Sequence, residues 1–327
     1  MIMEFDLNKK LVNVVLKCIP NNEKSVVYLV NTLNLSRESA YRRLRGDIPF
    51  TIQELVTLAS KLEFSIDNVF EQEKQNQAFF DISRISKGST DFFSFMLKKY
   101  AELHDKIVSA KKKEAIMAYN SFPPPFYAGF QNLFKFSYYK WLYQESGIQR
   151  NESFSNMVLP EEAVVFQRKI RGNMIQGENV VLILDMNIFL NYIKEIQYFY
   201  QRKMLSDEEL LLLKEETINM VEQYEEIAQS GTFGSAKVQL YLSPLCVNSN
   251  TVYYNYDDKE EPFFWIFTIN PVIIQNAGFI AMQSKWLNSL RRQSILITLS
   301  NEIMQAEFFF QQRDYIEKYL CADHAIG

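Results

Sequence analysis

The first 70 residues alternate between short hydrophobic repeats and polar breaks. Within each repeat, hydrophobic side chains recur every three or four positions, which is the period of an amphipathic helix. The pattern predicts five short helices and therefore a compact α-helical domain. Ser36 and Thr51 stand at expected helix starts as N-caps, and Glu54 would complete a capping box with Thr51. The predicted helices cover residues 1–20, 24–33, 36–44, 51–62 and 65–70.

A polar segment over residues 71–77 follows and is the predicted hinge. After it, six hydrophobic residues repeat at intervals of three and four, close to the heptad spacing of a coiled coil. Such a seam can serve as a dimer contact or as part of an internal core, and the sequence leaves both open. The seam consists of Phe92, Met96, Tyr100, Leu103, Ile107 and Ala110.

Beyond residue 159, helical periods give way in places to strand-like runs. Three such runs would form the simplest arrangement, a three-stranded antiparallel meander. The predicted fold is mainly α with a small antiparallel β-sheet (α+β) in the C-terminal region, after the N-terminal five-helix domain. The predicted domains are residues 1–72, a helical linker or dimerisation region over 73–158, and an α+β region over 159–327. The later helices are expected over 187–203, 206–229, 276–293 and 301–320, and the strands over 238–242, 252–256 and 263–269. A capping box from Ser206 to Glu209 would open the second of these helices.

Charge is distributed unevenly along the chain. The formal net charge of −4 argues against a protein that grips nucleic acid over its whole surface, and a hydrophobic content of 47% argues against a disordered chain. Residues 36–46 contain four arginines and one glutamate, a net charge of +3, whereas residues 206–226 contain one lysine and eight acids, a net charge of −7. Contact with nucleic acid is therefore expected only at a local basic patch.

The cysteines and the apolar runs indicate the compartment. Three widely spaced cysteines form no metal-ligand pair and no disulfide framework, which favours a reducing environment. The first ten residues, MIMEFDLNKK, lack the apolar run of a signal peptide. Runs such as 263–269 are far shorter than the roughly 20 residues that span a bilayer. A cytoplasmic protein without membrane contact is expected.

The two helices predicted on either side of Asn34 have the layout of a helix-turn-helix. Their clamp and turn residues are Leu29, Val30, Leu33, Asn34, Leu35, Ser36, Ala40, Leu44, Arg45 and Gly46. This set resembles the phage-repressor (Cro/repressor, XRE) type of helix-turn-helix over about residues 8–70, with Val30 and Asn34 replacing the family's usual Ala and Gly. The resemblance implies that residues 1–72 are a DNA-binding domain for double-stranded DNA. It also implies a left-handed backbone at Asn34 and a C-cap at Gly46.

The resemblance further implies that the start of the third helix reads base edges in the major groove. The residues there are Ser36, Arg37, Glu38 and Ser39. Arg37 would bond O6 and N7 of a guanine, and Glu38 would accept a hydrogen bond from a cytosine amine.

Four more residues of this segment are expected to contact DNA. Tyr41 and Arg42 lie one turn further along the helix and would reach bases or backbone. Arg43 and Arg45 are expected to contact phosphates, unless one of them pairs with a local acid such as Asp47. Each phosphate contact would steepen the salt dependence of binding by about one ion.

Signatures of an enzyme are missing from the sequence. It contains neither a phosphate-binding loop nor a nucleophile elbow, and no catalytic, cofactor or metal residues are predicted. His104 is expected on a helix surface and Cys246 in the interior.

The leading hypothesis is a transcription regulator, most simply a homodimer, whose C-terminal region dimerises or senses an unknown small-molecule or protein signal. Two alternatives stay open. One is a protein–protein interaction module whose helix-turn-helix does not bind DNA. The other is an enzyme of unrecognised type within residues 160–320.

Overall fold

The structure is a computed structural model of the chain. It divides into two compact units, Met1–Phe79 and Phe80–Gly327. The predicted hinge over residues 71–77 and most of the predicted fifth helix over 65–70 lie outside the described residues. The structure describes residues 7–20, 23–62, 64, 66, 89–146, 153–171, 178–257, 259–266, 270–273 and 276–322.

Four helices of the first unit are described, and they enclose a small apolar core. Leu29, Ala40 and Leu58 are completely buried in it, as the amphipathic pattern predicts. Ile52 shares the spacing that predicts an inward position for the hydrophobic residues of its helix, but it is 81% exposed at the first helical position. The helices are α1 (Leu7–Cys18), α2 (Ser25–Leu33), α3 (Arg37–Leu44) and α4 (Ile52–Leu62).

The second unit consists of a β-sheet with helices on both faces. The sequence predicted its later helices closely, and Ser206 and Glu209 form the predicted capping box. The helices are α5 (Ser89–Ser109), α6 (Gln131–Ser146), α7 (Glu161–Ile170), α8 (Ile188–Gln201), α9 (Asp207–Ser230), α10 (Ala277–Gln293) and α11 (Glu302–Tyr319), with a 3-10 helix at Pro124–Tyr127. The strands are β1 (Lys113–Tyr119), β2 (Asn179–Asp185), β3 (Thr232–Phe233), β4 (Ala236–Ser243), β5 (Thr251–Tyr256), β6 (Lys259–Ile266), β7 (Asn270–Ile273) and β8 (Ile295–Leu296).

The sheet corrects the predicted fold class, since it is mixed and large rather than small and antiparallel. Its order is β3-β4-β2-β1-β5-β6-β7, with β8 also paired to β4. β1, β2 and β4 are parallel neighbours, and β5, β6 and β7 continue as an antiparallel meander. β5 and β6 pair as predicted, but β4 pairs with β2 instead of β5. The prediction missed β1 and β2, and β2 is a continuous apolar run, typical of a strand buried on both faces.

The main core lies on one face of the sheet, under most of the helices. The six residues of the predicted seam are all buried in it, so the seam is an internal contact of α5 and not an exposed dimer surface. Residues on both sides of position 158 contribute to this core. α10 covers the other face through Leu287 and Leu290, which pack with Ile183 of β2.

Two single-residue expectations in the second unit are wrong. His104 is buried, with 7% of its surface exposed, because it lies four residues after Tyr100 and three before Ile107, on the buried face of α5. Cys246 is exposed, because it lies in the loop after β4 and not inside a strand.

Candidate nucleic-acid interface

The turn between α2 and α3 has the geometry that the sequence predicted. Asn34 adopts a left-handed backbone with φ of 53°, and its N–H donates to the carbonyl of Val30. Asn tolerates this conformation better than most residues other than glycine. The turn therefore ends α2 and redirects the chain within two residues, which fixes where α3 begins.

Both ends of α3 are capped. The N–H of Ser39 donates to the hydroxyl of Ser36 at 3.2 Å, which confirms Ser36 as the N-cap. At the other end Arg45 is the C-cap, so Gly46 follows the cap instead of forming it. Gly46 has a φ of 81° and donates to the carbonyl of Arg43 at 3.0 Å, while Asp47 donates to the carbonyl of Arg42 at 2.9 Å. These two bonds form a Schellman motif, which holds an eight-residue helix to a defined length.

Most of the predicted contact residues on this helix are exposed. Neither Arg37 nor Arg42 forms an ion pair within the described ranges. Tyr41 is 54% exposed, and Ser39 is half-buried. The exposed set is Ser36, Arg37, Glu38, Tyr41, Arg42 and Arg45.

Arg43 is also partly buried, because its guanidinium is turned toward α4. Its Nε donates to Oε2 of Glu54 at 3.0 Å, and its terminal nitrogen donates to Oε1 at 2.8 Å. The two side chains are only 12% and 15% exposed. Of the two expectations for Arg43, a phosphate contact or an ion pair with a local acid, the structure shows an ion pair, with Glu54 as the acid. Glu54 lies on a different helix, so the spacing along the chain gave no sign of the pair.

Glu54 also caps the start of α4. The N–H of Thr51 donates to Oε2 of Glu54 at 2.8 Å, and the N–H of Glu54 donates to the hydroxyl of Thr51 at 3.2 Å, which confirms the predicted capping box. Burial raises the pKa of Glu54, but the hydrogen bonds from Arg43 and Thr51 outweigh burial, so the pKa is lower than usual. The carboxylate is therefore charged near neutral pH.

Arg45 pairs with Asp47, the acid that the sequence suggested as a partner. Their atoms lie 3.2 Å apart, but the side chains are 65% and 48% exposed. Exposed pairs of this kind contribute little to stability, so Arg45 can exchange Asp47 for another anion at small cost.

No group of three or more His, Cys, Asp and Glu residues could hold a metal ion in the part of the chain that the structure describes. Among the described helices, none is long and apolar enough to cross a membrane.

Comparisons with known proteins find a similarity in the N-terminal part of the chain. A search of curated proteins found no match, and a search of solved structures found none either. A family model matches the end of α1, all of α2 to α5 and the first residues of β1, and leaves the rest of the sheet outside. Residues 15–115 match the family model of the BetR domain, a helix-turn-helix-like domain associated with DNA binding, which fits a regulator.

Proposed function

We propose that this protein is a transcription regulator that binds double-stranded DNA by inserting α3 into the major groove, in the manner of Cro/repressor (XRE) domains. The observation that supports this most is the exposed surface of α3, a helix capped at both ends, where Arg37 and Arg42 form no ion pair with any residue that the structure describes. The BetR match over residues 15–115 supports DNA binding independently.

The first turn of α3 would read bases, and its later residues would contact the backbone. Arg37 would bond a guanine through O6 and N7, and Glu38 would accept from a cytosine amine. Tyr41 would reach bases or backbone, and Arg42 and Arg45 would contact phosphates and position the helix. The α3 N-terminus would lie nearest the base edges, as in other helix-turn-helix proteins.

We further propose that the second unit supplies dimerisation and receives a small-molecule or protein signal, without enzymatic activity. A single helix of eight residues offers too small a contact for tight site-specific binding. Two linked copies would bind half-sites about 34 Å apart with a higher effective affinity. Light scattering of the full chain, alone and with a palindromic duplex, measures the stoichiometry directly.

The test begins with selection of duplexes from a random library by the full-length protein. The dissociation constant (Kd) of the selected duplex is then compared between wild type and two variants, Arg37→Ala and Arg292→Ala. Arg292 is an exposed arginine of α10, so its variant controls for the loss of one positive charge. Loss of a bidentate base contact should weaken binding by about 1–3 kcal/mol, or roughly 5- to 150-fold, and relax the preference at one base.

Two results would contradict the proposal. An Arg37→Ala variant with unchanged affinity and sequence preference would refute the assignment of base reading to α3. A wild-type protein that binds no duplex even at low salt would favour an interaction module that binds protein.

A further inference from the structure

The link between Arg43 and Glu54 joins the exposed helix α3 to the first turn of α4. One carboxylate oxygen accepts from both Arg43 Nε and the N–H of Thr51, and the other accepts from the terminal nitrogen of Arg43. Bidentate pairs of this kind restrict the orientation of the arginine more than a single contact would. The pair therefore fixes an angle between two helices as well as a distance.

We propose that Glu54, acting through Arg43, is a positioning residue for DNA recognition. The inference rests on the proposed function and adds to it a residue that does not touch DNA. The proposal is that the pair sets the rotation and tilt of α3, so that the exposed side chains of its first turn meet base edges in register. Loss of the link would weaken specific binding although no DNA contact is removed.

Apolar packing alone holds α3 weakly. Ala40 is the only residue of this helix that is completely buried, and Leu44 is only partly buried. Ala40 has a single methyl group as its side chain, which gives little resistance to rolling of the helix about its axis. Arg43 lies one turn after Ala40, on the neighbouring part of the same face. The ion pair is therefore the main polar restraint on α3 among the described contacts.

A positioning role and a purely electrostatic effect of Glu54 predict opposite changes in DNA affinity when its charge is removed. DNA is a polyanion, so removal of an acid beside the binding helix should ordinarily strengthen binding. Replacement of Glu54 by the neutral, equally large Gln should instead weaken it if the carboxylate positions α3. The matched control is Glu23→Gln, which removes the same charge from an exposed site that lies before α2 in the same unit. We expect Glu23→Gln to leave affinity unchanged or slightly raised.

Salt dependence separates positioning from direct contact. A residue that contacts phosphate contributes about 0.9 to the slope of log Kd against log salt concentration, and its removal reduces the slope by that amount. We expect Arg42→Gln to reduce the slope. Arg43→Gln should raise Kd with the slope unchanged, because Glu54 already neutralises its charge.

The experiment uses the full chain, the duplex selected above, and a double-mutant cycle. Kd is measured at several salt concentrations for wild type, Glu54→Gln, Arg43→Gln, the double variant and Glu23→Gln. Loss of a charge-assisted hydrogen-bond pair should raise Kd about 5- to 30-fold in each single variant. The double variant should lose no more than either single variant, because both break the same link.

Thermal unfolding by circular dichroism shows whether each variant is folded at the temperature of the binding assay. Arg43→Lys provides a second test if Glu54→Gln does not fold. It keeps the positive charge and should nevertheless lose affinity, since an ammonium group cannot make the bidentate contact.

The outcomes distinguish the two proposals. If wild type binds and Arg37→Ala weakens binding, but Glu54→Gln behaves like Glu23→Gln, the positioning role is overturned while DNA binding stands. Additive losses in the double variant, or a reduced salt slope for Arg43→Gln, would also overturn it by showing a direct contact of Arg43. If wild type binds no duplex, both proposals fail.

Discussion

Gly46 allows a quantitative test of how α3 ends. Its φ of 81° lies in the left-handed region, where a side chain costs about 1–2 kcal/mol. A Cβ at this position would meet Asn8 Nδ2 at 3.7 Å and Lys9 Cγ at 3.8 Å, which are ordinary contacts, so no steric overlap adds to the cost. A Gly46→Ala substitution also stiffens the unfolded chain, which returns about 0.4–1 kcal/mol. The expected net loss in the free energy of unfolding is about 1 kcal/mol, or a Tm lower by roughly 4–8 °C for a unit of this size.

The control for the effect on the unfolded chain is Gly129→Ala, which lies in the second unit and is therefore followed by tryptophan fluorescence. Gly129 does not have a left-handed backbone, and a Cβ there would have no neighbour within 4 Å. This variant should be neutral or slightly stabilised, since only the effect on the unfolded chain remains.

The assay must separate the two units, because they need not unfold together. All three tryptophans lie in residues 80–327, so tryptophan fluorescence follows the second unit. Hydrogen exchange of the Asp47 amide, which donates to Arg42 across the cap, follows the first. If exchange at Asp47 is as slow in Gly46→Ala as in wild type, the left-handed cap does not contribute the stability inferred here.

Two further predictions concern pH. The pKa of Glu54 is lower in the folded protein, so its stabilising contribution is fully present above about pH 4.5 and is lost as the pH falls through the folded pKa. Hydrogen exchange of the first unit, measured between neutral and acid pH, should show this loss of stability in wild type and not in Glu54→Gln. Burial raises the pKa of Tyr100 to about 12, so the contribution of its neutral hydroxyl to stability is complete below the usual value of 10 and is lost as the pH rises toward 12. Alkaline unfolding of the second unit, followed by tryptophan fluorescence, should therefore shift to higher pH in Tyr100→Phe. An unchanged midpoint would contradict this expectation.

Local signals in the sequence predicted local structure well. The caps at Ser36, Thr51 and Ser206 depend on side chains within three residues of the backbone groups they bond, and all three caps are present. The left-handed turn at Asn34, which the helix-turn-helix resemblance implied, is also present. Such interactions are encoded by short segments, so a single sequence is sufficient to find them.

The hydrophobic pattern did not predict which segments that are distant in the sequence contact one another. The period of two in β4 and β5 identified the strands but not their partners, and the two strands are separated by β2 and β1 in the sheet. The seam of α5 had the spacing of a coiled coil, yet what it packs against is set by tertiary structure. At the candidate interface, the partner of Arg43 was missed because Glu54 meets it only after α3 and α4 have packed.

The position of α5 has a practical consequence for expressing the N-terminal part alone. The BetR match continues to residue 115, but Phe93 and Leu97 of α5 are buried in the core of the second unit. A gene fragment truncated at the end of the match would produce a helix whose apolar side faces water, and aggregation would be the expected result. A stop codon near residue 79, where the first unit ends, avoids this exposure and is the better choice for a soluble fragment.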